Sequence, residues 1–204
     1  MTYAKFTNLE HKQNTINLAR FVASELDKLL FIYWLDFGTL LGYIRENDLI
    51  KNDIDIDFGI RGEDNNIDLA EHFRGLGFKV FTYKPSELVI QKLFNGVPPK
   101  FPVSYGIRDT QKNCVVDIYP YYAGKGINFE GDSRFIATWI KDVIHEVPAH
   151  FLTSFKSVYF LNRTLYIPRK AEEFLALRYG DWKTPREVID VAESTDWGDR
   201  VVVK

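Results

Sequence analysis

Apolar positions recur every three to four residues over 9–32, at Ile16, Ala19, Val22 and Ala23, Leu26, and Leu29 and Leu30. That spacing puts them on one face of a helix, and Asn8, ahead of Glu10, supplies a cap for its start. The apolar run 31–35 predicts a first buried strand. A short helix follows it and ends in the turn Glu46-Asn47-Asp48. From residue 53 the pattern changes to strict alternation, Asp53-Ile54-Asp55-Ile56-Asp57-Phe58, the period of a half-buried strand running to about residue 60. Ile54, Ile56 and Phe58 then face the core, and the three aspartates share the opposite face.

The chain beyond reads as a helix over 64–75, with Ile67, Ala70 and Phe73 inward and Gly75 and Gly77 at its end. Strands are expected over 78–83 and 88–94, the second closing on an Asn95-Gly96 turn. Residues 97–102 hold Pro98, Pro99 and Pro102 and have too few backbone donors for a central strand. Two further strands, 103–108 and 114–122, are joined by the polar loop 109–113. A glycine-rich loop over 125–133 leads to a helix over 135–146, with Ile136, Trp139, Ile140 and Val143 inward. A hairpin over 158–166 turns at Asn162-Arg163, Pro168 opens a helix over 169–179, and Gly180 caps it.

This succession predicts an α/β (α+β) fold, a mixed sheet flanked by helices. Neither repeats nor low-complexity stretches interrupt it. One domain over 1–204 is expected, made of an N-terminal helix (1–32), a catalytic sheet region (33–122) and a C-terminal helical and hairpin region (123–204).

Composition narrows the function less than pattern does. With 26 Lys and Arg against 28 Asp and Glu, the net charge of −2 gives no general drive toward nucleic acid or an anionic membrane. Any hold on phosphate has to come from local placement. Cys114 is the one cysteine, which excludes an intrachain disulfide and a cysteine-rich zinc site and fits a reducing, cytosolic setting. The opening Met1-Thr2-Tyr3-Ala4-Lys5 lacks the charged-then-apolar order of a signal peptide, and no uncharged apolar run is long enough to span a bilayer. The expected location is the cytoplasm, either free or peripheral at the inner face of the membrane.

Candidate chemistry centres on residues 34–60. Carboxylates two apart on a strand lie roughly 7 Å apart, so two of them can reach one cation or a close cation pair. A divalent metal offsets their repulsion while taking oxygen ligands. Upstream, Gly38-Thr39 stands where a strand turns into a helix, and free N–H groups at such a start are suited to phosphate. Arg45 follows, with a planar guanidinium that matches phosphate oxygens. Downstream, Cys114-Val115-Val116-Asp117-Ile118-Tyr119-Pro120 carries one acid in an apolar run. A lone buried carboxylate is costly unless paired or metal-bound. His145-Glu146-Val147-Pro148-Ala149-His150 mimics a zinc-peptidase helix, but the histidine spacing is wrong and Pro148 would break the helix. His11 and His72 fall on expected exposed helix faces, while Tyr179 and Trp182 read as packing residues.

The stretch Gly38-Thr39-Leu40-Leu41-Gly42, then Arg45, then Asp53-Ile54-Asp55-Ile56-Asp57-Phe58 resembles the LicD family of phosphotransferases, which includes bacterial phosphocholine transferases and the fukutin-related proteins. Asp117-Ile118-Tyr119-Pro120 and the ending Tyr179-Gly180-Asp181-Trp182-Lys183-Thr184-Pro185 are similar to that family's later motifs. Lys51-Asn52 replaces the family's usual Pro-Trp, and Ile54 replaces a third acid of its run.

The resemblance implies a nucleotidyltransferase-like fold with Asp55, Asp57 and Asp117 as catalytic acids and ligands of Mg²⁺ or Mn²⁺. Asp117 is either the third ligand or the base. Gly38, Thr39, Arg45 and Asp53 are implied as substrate contacts. The implied reaction moves a phospho-alcohol of the phosphocholine, glycerol phosphate or ribitol phosphate type from a CDP-activated donor to a hydroxyl of a glycan or glycolipid acceptor. Two alternatives stay open: nucleotidyl transfer from an NTP with the same acids, and a non-catalytic glycan- or partner-binding module.

Overall fold

The computed structural model describes residues 9–51, 53–63, 67–137, 143–185 and 200–202. Helix α1 (Leu9–Lys28) buries Leu18, Ala19, Val22, Ala23 and Leu26, the face its periodicity marks. It stops short of residue 32 because Leu30 takes a φ of 60°, and Phe31 N–H donates back to the Leu26 carbonyl, closing the helix end with a left-handed residue. The cap expected at Asn8 lies outside the described residues.

Strand β1 (Tyr33–Leu35) runs into helix α2 (Phe37–Glu46), and β2 (Asp55–Arg61) returns antiparallel to β1. Helix α3 (Leu69–Gly75) starts at an Asp68 cap, later than the expected 64–75, and leads to β3 (Lys79–Tyr83). Then come α4 (Glu87–Leu93), β4 (Ser104–Asp109) and the long β5 (Cys114–Lys125). Strand β5 lies parallel to β2 and pairs antiparallel with β4 along its first half. Its second half pairs with β6 (Asp132–Ala137), which pairs in turn with β7 (Val143–Pro148) and through it with β10 (Arg200–Val202). The result is a mixed sheet with helices around it, as expected.

The alternation in β2 sorts as its pattern requires. Ile56 and Phe58 are fully buried in the core that includes α1, while Asp55 and Asp57 point to the other face. Aromatic residues supply much of that core: Trp34, Tyr33, Tyr121, Phe58, Phe73 and Phe174 are among its largest fully buried side chains.

Two elements differ from their expected type. Residues 88–94, expected as a strand, form helix α4. Ser86 caps it by accepting from Val89 N–H, and its buried residues Val89 and Leu93 are four apart, a helical spacing hard to see in so short an apolar run. Residues 135–146, expected as a helix, are divided between β6 and β7, with 138–142 outside the described residues. Ile144, His145, Glu146 and Val147 are all buried. A strand covered on both faces has no alternation to reveal it.

The hairpin expected over 158–166 is β8 (Phe155–Phe160) with β9 (Arg163–Pro168), a separate two-stranded sheet. Its turn falls one residue early, at Leu161 and Asn162, both at positive φ, as a two-residue type I′ turn demands. Pro168 ends β9 rather than opening the next helix, and α5 (Ala171–Tyr179) begins three residues later, with Gly180 as its C-cap.

Candidate metal and phosphate site

The parallel pairing of β2 with β5 puts Asp57 directly opposite Asp117. Both side chains, with that of Asp55 two residues earlier, leave the sheet on the face away from α1. One carboxylate oxygen from each of Asp55, Asp57 and Asp117 falls within a set no wider than 4.8 Å, narrow enough to close around one cation. Asp57 is 6% exposed. Burial first, then the charges of Asp55, Asp53 and Asp117, hold its carboxyl well above the usual carboxylate range. Burial and the charge of Asp55 push Asp117 up to about 7.

Acids that resist ionising one another are offset by a shared cation. Carboxylate oxygens alone make a hard donor set, suited to Mg²⁺, Mn²⁺ or Ca²⁺ rather than to soft metals. The residues present therefore fit a divalent metal, and Asp55, Asp57 and Asp117 would hold it.

Asp53 stands just outside that trio. Its Oδ1 accepts from Ile54 N–H, and burial with the charge of Asp55 raises its carboxyl to about 8. Its Oδ2 lies against Gly38: a Cβ built on Gly38 would sit 2.5 Å from that oxygen and 3.7 Å from Asp57 Oδ2. Any larger residue at 38 would displace the acids.

Helix α2 points its N-terminus at this cluster. The cap is Asp36, whose side chain accepts from Phe37 N–H, so Gly38 and Thr39 occupy the first turn, where backbone donors lack helical partners. Thr39 has a second task. Its Oγ1 accepts from Asp57 N–H at 2.9 Å in a buried setting, pinning the helix start to the strand that carries the acids. Thr39→Val keeps the shape and leaves that N–H unpaired, so it is expected to cost about 1–3 kcal/mol. A urea midpoint unchanged from wild type would contradict this role.

Arg45 is placed elsewhere. It lies in the last turn of α2, seven residues past Gly38 and so about 10 Å along the helix axis. Its guanidinium bonds Glu46 Oε1 at 2.6 Å and the Trp182 carbonyl at 3.5 Å. The structure brings Gly38, Thr39 and Asp53 to the acid trio but not Arg45, which joins α2 to the packed Trp182. Tyr179 and Trp182 pack on the main core. The histidine pattern 145–150 forms a strand and a 3₁₀ turn. His145 is buried edge-on to Phe37, and Glu146 accepts from Ile127 and Asn128 N–H. His11 bonds the Asn113 carbonyl, and His72 pairs with Glu25 at 3.0 Å.

Reasoning from sequence missed the network behind the site. Arg178 on α5 donates to Asp36 Oδ1 at 2.6 Å and to the Tyr121 hydroxyl at 2.7 Å, and that hydroxyl donates to Asp36 Oδ2 at 2.7 Å. All three side chains are at most 1% exposed. The guanidinium also lies 4.1 Å from the ring centre of Phe37. One signal was available: Asp36 directly precedes an apolar helical run, the position of an N-cap. Its partners lie 85 and 142 residues away, and no local pattern predicts them. Tyr119, two residues past Asp117, packs on Phe37 at 4.8 Å, where burial and the nearby acids push its hydroxyl far above its ordinary range.

A mixed sheet with an Asp-x-Asp pair on one strand and a third aspartate in register on the parallel neighbour belongs to the nucleotidyltransferase-like class. The chain is a member of the LicD/FKTN/FKRP family, whose nucleotidyltransferase domain matches residues 31–170. It is 30% identical over 165 residues to the human ribitol 5-phosphate transferase FKRP, a match covering 79% of this chain and 30% of that protein. With the human ribitol-5-phosphate transferase FKTN it shares 24% identity over 180 residues, 88% of this chain and 35% of that one. The chain thus spans about a third of the length of these relatives. The lincosamide antibiotic adenylyltransferase LnuA, solved with lincomycin bound, superposes with a TM-score of 0.46 at 14% identity, over 84% of this chain and 85% of that one.

Proposed function

We propose that the chain is a metal-dependent phosphotransferase. It would move a phospho-alcohol, of the ribitol phosphate, glycerol phosphate or phosphocholine type, from a CDP-activated donor to a hydroxyl of a glycan or glycolipid. The observation that carries this reading is the gathering of Asp55, Asp57 and Asp117 within 4.8 Å, in a family whose relatives above are named as ribitol phosphate transferases. The cytoplasmic setting expected from the sequence belongs to the same reading. Among the described residues no helix is long and apolar enough to cross a membrane.

The roles follow from phosphoryl transfer, where positioning and charge neutralisation do most of the catalysis. Asp55 and Asp57 would hold Mg²⁺ or Mn²⁺, which would supply neutralisation of charge on the diphosphate. Backbone N–H groups of Gly38 and Thr39 seat phosphate oxygens, and Asp53 lines the same floor. The acceptor oxygen attacks the phosphorus that bears the alcohol. A P–O bond forms there as the bond to the bridging oxygen breaks, and CMP leaves with that oxygen. The hydroxyl proton goes to a carboxylate, for which Asp117 is placed if it is not the third metal ligand.

The test is thermal stability with Mg²⁺ across CDP-ribitol, CDP-glycerol, CDP-choline, CMP and the NTPs. A ligand held at a hundred times its Kd adds about 2.7 kcal/mol, so a Mg²⁺-dependent rise with one CDP-alcohol is expected. A rise with NTPs alone would replace this reading by nucleotidyl transfer. No rise at all would favour a binding module.

A further inference from the structure

Two of the three acids, Asp57 and Asp117, sit in a row of residues that crosses four strands on one face of the sheet. Strand pairing sets Asp57 beside Asp117, Asp117 beside Gly106 and Gly106 beside Phe81. The next row, two residues along, runs Asp55, Val115, Arg108 and Lys79. Lys79 and Arg108 are therefore direct cross-strand partners on the same face as the acids.

Both cations are exposed and both lean on one ring. Lys79 Nζ lies 4.8 Å and Arg108 Cζ 5.0 Å from the centre of Phe81, itself 39% exposed. Like charges set directly opposite on a sheet are unfavourable, and a cation–π contact at an exposed site returns only about 0.5–1 kcal/mol. Among the described residues neither side chain has a carboxylate within ion-pair distance. The acids are near, since Arg108 offsets part of the upward shift of Asp117. Gly106 between them is buried, and a Cβ there would meet Asp117 Oδ1 at 3.0 Å and Phe81 Cβ at 3.7 Å, so its lack of a side chain lets Asp117 and the Phe81 brace come together.

We infer that Lys79 and Arg108, braced on Phe81, form a phosphate subsite on the two strands next to the acid trio, β4 and β3. Neighbouring strands are about 4.8 Å apart. An anion on the metal side thus lies within reach of the long Arg108 side chain. A ligand with one phosphate at a carboxylate-bound cation and further negative charge toward the β3 edge satisfies both halves. The charge comes from the second phosphate of a donor diphosphate or from a phosphate already on the acceptor. This inference rests on the metal reading for its acid half alone.

Calorimetry on the intact chain and on Lys79→Met, Arg108→Met, the double variant and Asp57→Asn tests it. The probes are inorganic pyrophosphate with Mg²⁺, and glycerol 3-phosphate with a chelator. Each single substitution is expected to weaken pyrophosphate binding about tenfold and the pair about a hundredfold. Melting temperatures without ligand should stay at or above wild type, because an exposed repulsion has been removed. Weakening of glycerol 3-phosphate alone would keep the subsite and assign it to the acceptor. Binding of both probes by the double variant within twofold of wild type, or of neither by wild type, overturns the inference. Pyrophosphate binding lost in Asp57→Asn, with both probes bound unchanged by the double variant, would remove the subsite and leave the metal reading standing. The reverse result would do the opposite.

Discussion

Asp57→Asn is expected to leave a folded chain with no metal-dependent turnover. An amide in place of the carboxylate gives up the most buried of the three proposed cation ligands. Losing roughly 4 kcal/mol of charge stabilisation corresponds to a rate lower on the order of a thousandfold. The same substitution is expected to raise the melting temperature of the metal-free protein at neutral pH, since it deletes one of several mutually repelling acids.

The pH dependence has a definite sign. Asp117 moves from an ordinary 3.8 to about 7 in the fold, so the folded chain holds a proton that the unfolded chain has released. Stability without metal therefore declines as the pH rises from about 4 to 7, and saturating Mg²⁺ should reverse the decline in wild type but not in Asp57→Asn. Wild-type turnover in the variant, or an identical Mg²⁺ response, would remove the trio as a metal centre.

The second large effect is structural. Arg178→Met leaves Asp36 buried without its cation, and removing one partner of a buried pair costs about 3–5 kcal/mol. For a chain this long that is a fall on the order of 10 °C in Tm. Because Asp36 caps α2 and its N–H bonds the Asp57 carbonyl, part of the loss should show as weaker Mg²⁺ binding. The triple variant Asp36→Leu, Tyr121→Phe, Arg178→Met removes the whole network and is expected to regain most of the thermal stability but not the metal affinity. A single variant as stable as wild type would show that Arg178 is not what balances Asp36.

The acids were legible because an alternating strand displays its polar face directly, and the Gly-Thr turn because a strand-to-helix junction is local. Their physical linkage was not. That Thr39 holds Asp57 N–H and that Gly38 makes room for Asp53 are contacts across 18 and 15 positions, set by packing rather than by period. Arg45 shows the opposite case, a residue of suitable chemistry that the length of α2 carries away from the acids. Helix α4 was hidden because its apolar run is short, and strand β7 because both its faces are buried, with His145 and Glu146 inside as well as Ile144 and Val147, so polarity does not mark its period. The cations of β3 and β4 carried no sequence signal, since only strand pairing makes Lys79 and Arg108 neighbours of each other and of Asp117.

The bond from Arg178 to Asp36 spans 142 residues, and the family match ends at residue 170, before Arg178. This has a consequence for the order in which the protein is made. Every acid of the site has been synthesised by residue 117, and the arginine that neutralises Asp36 follows 61 residues later (178 less 117). At 5–20 residues per second that is roughly 3–12 s. During that interval the helix start facing the acids has no counter-charge behind it. A chain cut after residue 170 would carry every aspartate of the site yet lack the cation that pairs with buried Asp36 at the start of α2.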